Sequence, residues 1–139
     1  MRVWQNVARM KREWVKCKID TTRARWAGYH VTMTPRGEIY MNANTLKAMD
    51  AGEHFLLLYD PLNKTIGVKP VNSLEPDSQG SSGRGKRHGR FVRAYRLLQQ
   101  CGISIDRTVR FLRPEIDEEG VLILDLRNTT TEVLRRRPL

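Results

Sequence analysis

The segment Tyr29–Val71, YHVTMTPRGEIYMNANTLKAMDAGEHFLLLYDPLNKTIGVKPV, has the clearest start and stop signals of this chain and decides how it folds. From residue 29 to 34, apolar side chains alternate with polar ones, which is the two-residue period of a half-buried strand. The Pro-Arg-Gly sequence at 35–37 predicts a tight turn, because proline fixes φ and glycine relieves the backbone. Ile39 and Met41 then predict a second strand.

The residues after this second strand predict a short helix. Asn42 or Asn44 is a suitable N-cap, since a short amide side chain accepts a hydrogen bond from the free N–H groups of the first turn. Leu46 and Met49 form the apolar side of the helix, and Gly52 suits the position that ends it.

A hairpin is predicted between residues 54 and 71. Residues 54–59 are apolar on both faces of a strand, so we expect a central strand that is covered on both sides. The Asp-Pro-Leu-Asn sequence at 60–63 predicts a turn. Ile66 and Val68 then lie on one face of the returning strand.

The sequence after residue 76 predicts a second helix–hairpin unit. Residues 76–90 lose their periodicity and are rich in glycine, serine and basic side chains, which indicates a flexible basic loop. Apolar residues at helical spacing predict a helix over 91–101, with Gly102 as its stop. Residues 103–126 are typical of a long hairpin. Because both halves run from helix to hairpin, an internal duplication is a hypothesis.

Residues 2–18 predict a basic amphipathic helix, whose apolar residues recur at alternating steps of three and four. We expect this narrow stripe to pack on the body of the protein, or on a partner chain or second copy, rather than on a membrane. The stripe consists of Val3, Val7, Met10, Trp14 and Cys17.

These elements predict the α+β class, as a small β-rich domain with two helix–hairpin units. The basic helix at 1–20 precedes a single domain over 21–139, which ends in a basic tail at 135–139. A chain of 139 residues can build such a core without disulfides or metal. The distant cysteines Cys17 and Cys101 indicate free thiols and a cytoplasmic setting, and no apolar run approaches a membrane-spanning length.

The net charge of +10 is unevenly distributed along the chain. Residues 1–26, 77–96 and 127–139 carry net charges of +6, +5 and +3, whereas residues 27–76 and 97–126 carry −1 and −3. The basic residues therefore belong to a helix, a loop and a tail around nearly neutral strands. Such separation indicates a polyanionic partner, and it favours nucleic acid over an acidic protein or an anionic membrane.

Sequence motifs for catalysis or for a bound cofactor are lacking. His30, His54 and His88 are scattered, and neither cysteine has a second ligand at a zinc-like spacing. The acidic stretch 117–120 does not have the alternating oxygen ligands of a calcium loop. No serine has an elbow motif or a nearby base. We therefore expect no catalytic residue, no metal, no cofactor and no enzymatic activity.

The basic segments are the remaining functional signal. Residues 83–90, GRGKRHGR, resemble Arg-Gly segments that wrap nucleic acid, in which glycine permits close approach and arginine contacts phosphates or stacks on bases. We expect a non-enzymatic protein that binds DNA or RNA; the alternative is a protein-interaction subunit of a larger assembly, such as a ribonucleoprotein. The predicted contact residues are Arg9, Lys11, Arg12, Lys16, Lys18, Arg23, Arg25, Arg36, Arg84, Lys86, Arg87, Arg90, Arg93, Arg96, Arg135, Arg136 and Arg137.

The order of residues in 31–71 also resembles the swapped-hairpin DNA-binding domains of the AbrB, MazE and MraZ type. Those domains have a strand, a glycine turn, a strand of the form G-x-I-x-[ILM], a short helix that ends near a glycine, and a final hairpin. The resemblance implies a β-rich dimer, or a pseudo-dimer in one chain, that regulates transcription by binding DNA through loop arginines, of which Arg36 is the match. The matching positions are Gly37, Ile39, Met41, Leu46 and Gly52, followed by the hairpin at 54–71.

Overall fold

The structure is a computed structural model that describes residues 13–15, 28–83 and 88–131. Most of the predicted N-terminal helix and all of the tail at 135–139 lie outside these residues. Glu13–Val15, the described part of that helix, has no regular secondary structure, and the Trp14 side chain is 84% exposed.

The described part of the chain forms two antiparallel sheets and two short helices, so it is β-rich and compatible with the predicted α+β class. The helices are α1 (Ala43–Met49) and α2 (Tyr95–Cys101). The strands are β1 (Val31–Met33), β2 (Glu38–Met41), β3 (His54–Asp60), β4 (Thr65–Val71), β5 (Gln79–Gly80), β6 (Ser82–Gly83), β7 (Arg90–Arg93), β8 (Val109–Phe111), β9 (Glu115–Ile116), β10 (Leu122–Asp125) and β11 (Thr129–Thr131).

The larger sheet has six strands in the order β11-β8-β1-β2-β7-β6. Its inner side chains, such as Ile39 and Val92, are fully buried, and for Ile39 the alternation in the sequence predicts this. The smaller sheet has five strands in the order β5-β3-β4-β10-β9. Buried side chains of both sheets form one hydrophobic cluster, to which α1 contributes Met49 and α2 contributes Leu98. We call the side of the six-stranded sheet that faces away from this cluster the outer face.

The start of α1 confirms the N-cap prediction for Asn42. The Asn42 side-chain oxygen accepts hydrogen bonds from the backbone N–H groups of Thr45 (3.1 Å) and His30 (3.2 Å), and its amide donates to the carbonyl of Gly28 (2.9 Å). One side chain thus caps the helix and holds the segment that leads into β1. The helix ends earlier than expected, because Asp50 rather than Gly52 adopts the left-handed conformation, with φ 54°.

The prediction that β3 is covered on both faces is wrong. Phe55 is fully buried, but Leu56 and Leu57 are half-buried and Leu58 is 42% exposed. In its sheet, β3 lies between β4 and the two-residue β5. Only one face packs on the core, so the apolar run does not reflect burial on two sides.

The predicted helix over 91–101 begins later than expected, at Tyr95. Residues Arg90–Arg93 form β7, which pairs with β2 from Glu38 opposite Arg93 to Met41 opposite Arg90. In a strand, Phe91 and Arg93 point outward while Val92 is fully buried. Over three or four residues, the spacing of apolar side chains cannot distinguish a helix from a strand. Backbone hydrogen bonds to β2 make this segment a strand.

Two further segments differ from expectation. Within the predicted loop over 76–90, β5 pairs with β3 and β6 pairs with β7, since a ladder needs only backbone groups and no side-chain pattern. Within the predicted hairpin over 103–126, β8 pairs with β1 in the six-stranded sheet, and only β9 pairs with β10. The two strands predicted to form this hairpin, observed as β8 and β10, therefore lie in different sheets.

The two helices end in the same local structure. Asp50 and Gly102 both have positive φ, at 54° and 66°. The next N–H donates to a carbonyl at the end of the helix in each case: Ala51 to Leu46 at 3.0 Å, and Ile103 to Leu98 at 2.9 Å. These equivalent residues lie 52 positions apart (Leu46 and Leu98, Asp50 and Gly102).

The hypothesis of an internal duplication assigns corresponding strands to the two halves: β2 corresponds to β7, β3 to β8 and β4 to β10. Two of these couples pair directly, β2 with β7 and β4 with β10. The buried Phe55 and Phe111 would then lie in corresponding strands. We call β1–β4 with α1 the first half, and β5–β10 with α2 the second half.

Candidate nucleic-acid interface

The turn between β1 and β2 presents Arg36 at one end of the six-stranded sheet. Gly37 has φ 84°, and its N–H donates to the carbonyl of Thr34 at 2.9 Å. The Thr34 hydroxyl accepts from the N–H of Glu38 at 3.1 Å, which closes the turn a second time. Pro35 and Arg36 are exposed at its tip.

Gly37 also joins this turn to the start of α2. The Gly37 carbonyl accepts a hydrogen bond from the N–H of Ala94 at 2.7 Å. A Cβ atom at position 37 would lie 2.9 Å from the Cα of Tyr95, so a side chain there would force the backbones apart. Glycine is required at this position both for its φ and for close approach. The contact brings the Arg36 backbone next to α2.

Arg93 and Arg96 come from the residues on either side of this contact. Arg93 ends β7 opposite Glu38, Arg96 lies in the first turn of α2, and both side chains are exposed. Both line an open cleft of about 820 Å³, whose other walls come from β3 and residues 77–79. We call Arg36, Arg93 and Arg96 the arginine cluster.

The arginine cluster forms no ion pair within the described residues, although Glu38 lies directly across from Arg93 and Asp77 lines the same cleft. Ion pairs there join Lys69 to Glu119, Arg90 to Glu53, and Arg127 to Asp125. The three cluster arginines take part in none of these pairs. Three exposed guanidinium groups, supplied by a turn, a strand and a helix, form a surface suited to phosphate.

Arg90 is engaged in contacts within the fold. Its guanidinium donates to the Ser81 hydroxyl (2.7 Å), the Ser81 carbonyl (2.9 Å) and the Glu53 carboxylate (3.1 Å), and its side chain is only 15% exposed. Ser81 lies between β5 and β6, where the chain passes from one sheet to the other. Arg90 therefore holds this bend to β7 and to the residue before β3.

The remaining predicted contact residues lie outside the described ranges, as do Val3, Val7 and Met10 of the predicted partner-binding stripe. Their positions therefore stay predictions. The basic residues concerned are Arg9, Lys11, Arg12, Lys16, Lys18, Arg23, Arg25, Arg84, Lys86, Arg87, Arg135, Arg136 and Arg137.

The structure adds an exposed arginine that the sequence analysis did not select. Arg110 lies in β8, between the half-buried Val109 and the buried Phe111. Its cross-strand partners are Thr32 and Thr130, so it stands on the outer face. The alternation of Val109, Arg110 and Phe111 was the available signal, but it identifies a strand without showing which sheet the strand joins.

Other kinds of site have little support in residues 13–15, 28–83 and 88–131. No group of three or more His, Cys, Asp or Glu side chains there could hold a metal ion. No helix there is long and apolar enough to cross a membrane. Cys101 is a free thiol and is half-buried.

Comparison of the chain with known proteins found no matching family model, no matching curated protein and no matching solved structure.

Proposed function

We propose that this chain is a non-enzymatic nucleic-acid-binding protein that contacts phosphates through the arginine cluster and through the basic segments that flank the sheets. The convergence of Arg36, Arg93 and Arg96 at one end of the six-stranded sheet carries the proposal. Each is exposed and forms no ion pair in the described ranges. Their charge is therefore available to a polyanion.

Two further observations support this function. The net charge of +10 is concentrated outside the packed strands, in segments such as 83–90 that can reach a ligand. The resemblance of residues 31–71 to swapped-hairpin DNA-binding domains also predicts that Arg36 contacts nucleic acid. An internal duplication, if the two halves are related, would give the pseudo-dimer in one chain that the resemblance implies.

The test is a titration of fluorescent nucleic acid with the full chain across a salt series. Each phosphate contact contributes about 0.9 to the slope of log affinity against log salt for duplex DNA, and about 0.7 for single strands. The triple variant Arg36→Ala/Arg93→Ala/Arg96→Ala is expected to lower the slope by about 2 to 3 and to weaken binding at low salt.

A charge-matched control separates the site from net charge. Lys47→Ala/Lys64→Ala/Arg127→Ala removes the same charge from α1, the β3–β4 turn and the chain just after β10. The control should keep most of the slope. An equal loss in both variants would show that the cluster is no dedicated site, and no binding by the wild-type protein at low salt would refute the function.

The alternative function is a protein-interaction subunit of a larger assembly. Trp14 and Val15 favour it, because they are 84% and 86% exposed and large apolar side chains are frequent anchors of interfaces. Purification of the chain with and without nuclease treatment distinguishes the two functions. A polypeptide that remains bound after nuclease treatment, and is lost from Trp14→Ala, would support this alternative.

A further inference from the structure

The outer face of the six-stranded sheet carries a row of side chains that crosses every strand. The register aligns one outward-pointing residue from each strand in turn. Two of the six are aromatic, one is arginine and the others are small hydroxyl residues. In sheet order the row is Thr130, Arg110, Thr32, Tyr40, Phe91 and Ser82.

The aromatic pair stands near the middle of this row. The rings of Tyr40 and Phe91 have centroids 5.1 Å apart at an interplanar angle of 44°, and His30 meets the edge of Tyr40 at 6.3 Å. Phe91 is 40% exposed and Tyr40 is partly exposed. Of their cross-strand neighbours, Thr32 is buried and Ser82 is small and exposed. The Tyr40 ring also lies against Gly89, where an added Cβ atom would clash with it, so one side of that ring is covered within the fold.

Arginine side chains lie beside this pair in two directions, and the acidic Glu38 lies directly opposite one of them, Arg93. Arg93 follows Phe91 by two residues in the same strand, so it points to the same face about 7 Å further along. Arg110 is two strands beyond Tyr40, about 10 Å away across the sheet. The arginine cluster thus continues onto the outer face, where it meets the aromatic pair.

We infer that this outer face binds single-stranded nucleic acid, with bases stacked on Tyr40 and Phe91 and phosphates held by Arg93 and Arg110. The inference rests on the proposed function and names its ligand. Bases in a duplex are stacked on each other, so only unpaired bases can offer a π-face to protein rings. A duplex would contact the arginines, but its bases could not stack on the rings. An acidic protein would not require aromatic rings between the charges.

The experiment compares the binding of the full chain to an oligothymidylate of about 20 nucleotides and to a duplex of similar length. Alanine substitution of a stacking ring typically weakens binding by at least about fivefold for each base. Phe91→Leu keeps an apolar side chain but removes the π-face, and it should weaken single-strand binding by at least about fivefold while duplex binding stays unchanged. Phe91→Trp should keep the wild-type affinity or exceed it.

Leu58→Ala is the matched control, because Leu58 is 42% exposed but lies in the other sheet. It should leave both affinities unchanged.

Equal single-strand affinity in wild type, Phe91→Leu and Tyr40→Leu would overturn the inference, as would an equal loss for single strand and duplex. If the wild-type protein binds the duplex but shows no loss in these variants, the proposed function stands and only the stacking inference fails. If the wild-type protein binds neither, the proposed function fails with it.

Discussion

The two halves of this molecule each contain a short helix followed by strands, but different interactions hold these elements in place. In the first half, α1 has a side-chain N-cap at Asn42, and β3 and β4 pair along seven residues. In the second half, α2 follows Ala94 without a side-chain cap, and the strands that follow it lie in different sheets, β8 beside β1 and β10 beside β9. The second half supplies Arg93, Arg96 and Arg110, three of the four exposed arginines of the proposed interface. Local stabilisation and basic surface are thus concentrated in different halves of the chain.

The largest expected effect tests whether the halves are equivalent in the core. Phe55→Ala and Phe111→Ala each remove a buried ring from related strands, and each should lower the free energy of unfolding by about 3–5 kcal/mol. Urea denaturation measures both. Leu58→Ala, in the same strand as Phe55, and Leu112→Ala, directly after Phe111, change side chains that are 42% and 43% exposed and should each cost less than about 1 kcal/mol. A loss below about 1 kcal/mol for either phenylalanine would break the equivalence.

A smaller effect tests the difference between the helix starts. Asn42→Ala removes the cap of α1 together with the hydrogen bonds to His30 and Gly28, and should cost about 2 kcal/mol. Asn44→Ala, at an exposed position of the same helix, should change stability by less than about 0.5 kcal/mol. Thermal unfolding of both variants gives the comparison. If the two substitutions cost the same, the cap does not stabilise the first half.

The smallest effect concerns the turn of the first hairpin. The side-chain amide and the backbone N–H of Asn63 donate to Asp60 and lower the pKa of this carboxyl below its ordinary value of 3.8. A lowered folded-state pKa adds stability that is present above pH 3.8 and is lost as the pH falls through the folded-state pKa.

Asp60→Asn should therefore be slightly less stable than wild type near neutral pH, and this difference should vanish in acid. Urea denaturation at about pH 6 and below pH 3 measures it. Because Asp60 is exposed, the difference should be the smallest of the three. A difference that persists unchanged in acid would mean that the charge of Asp60 does not act on the turn.

The sequence predicted elements of the first half because each had a local signal. The alternation before Pro35, the cap at Asn42 and the turn after Asp60 are set by residues close in the chain. β5, β6 and β7 were missed because partners far away in sequence determine them. Ser82 and Gly83 have no strand pattern, yet they pair with Phe91 and Arg90.

The candidate site likewise has a part that local sequence predicts and a part that depends on distant contacts. Arg36 was predicted from its place in a turn, and the exposure of Arg93 and Arg96 could be anticipated from their charge. That Gly37 would contact Ala94 and Tyr95, and so join these arginines, depends on the pairing of β2 with β7. Arg90 has the same charge as its neighbours, but only the position of Ser81 shows that it holds a bend instead.

The exposed linker at residues 72–77 joins two halves that are incomplete without each other. Four strand pairings cross between them: β1 with β8, β2 with β7, β3 with β5 and β4 with β10. A cut in this linker would leave two fragments, each with unpaired strand edges that only the other can satisfy. We therefore expect the two halves, when expressed as separate pieces, to fold only on assembling with each other.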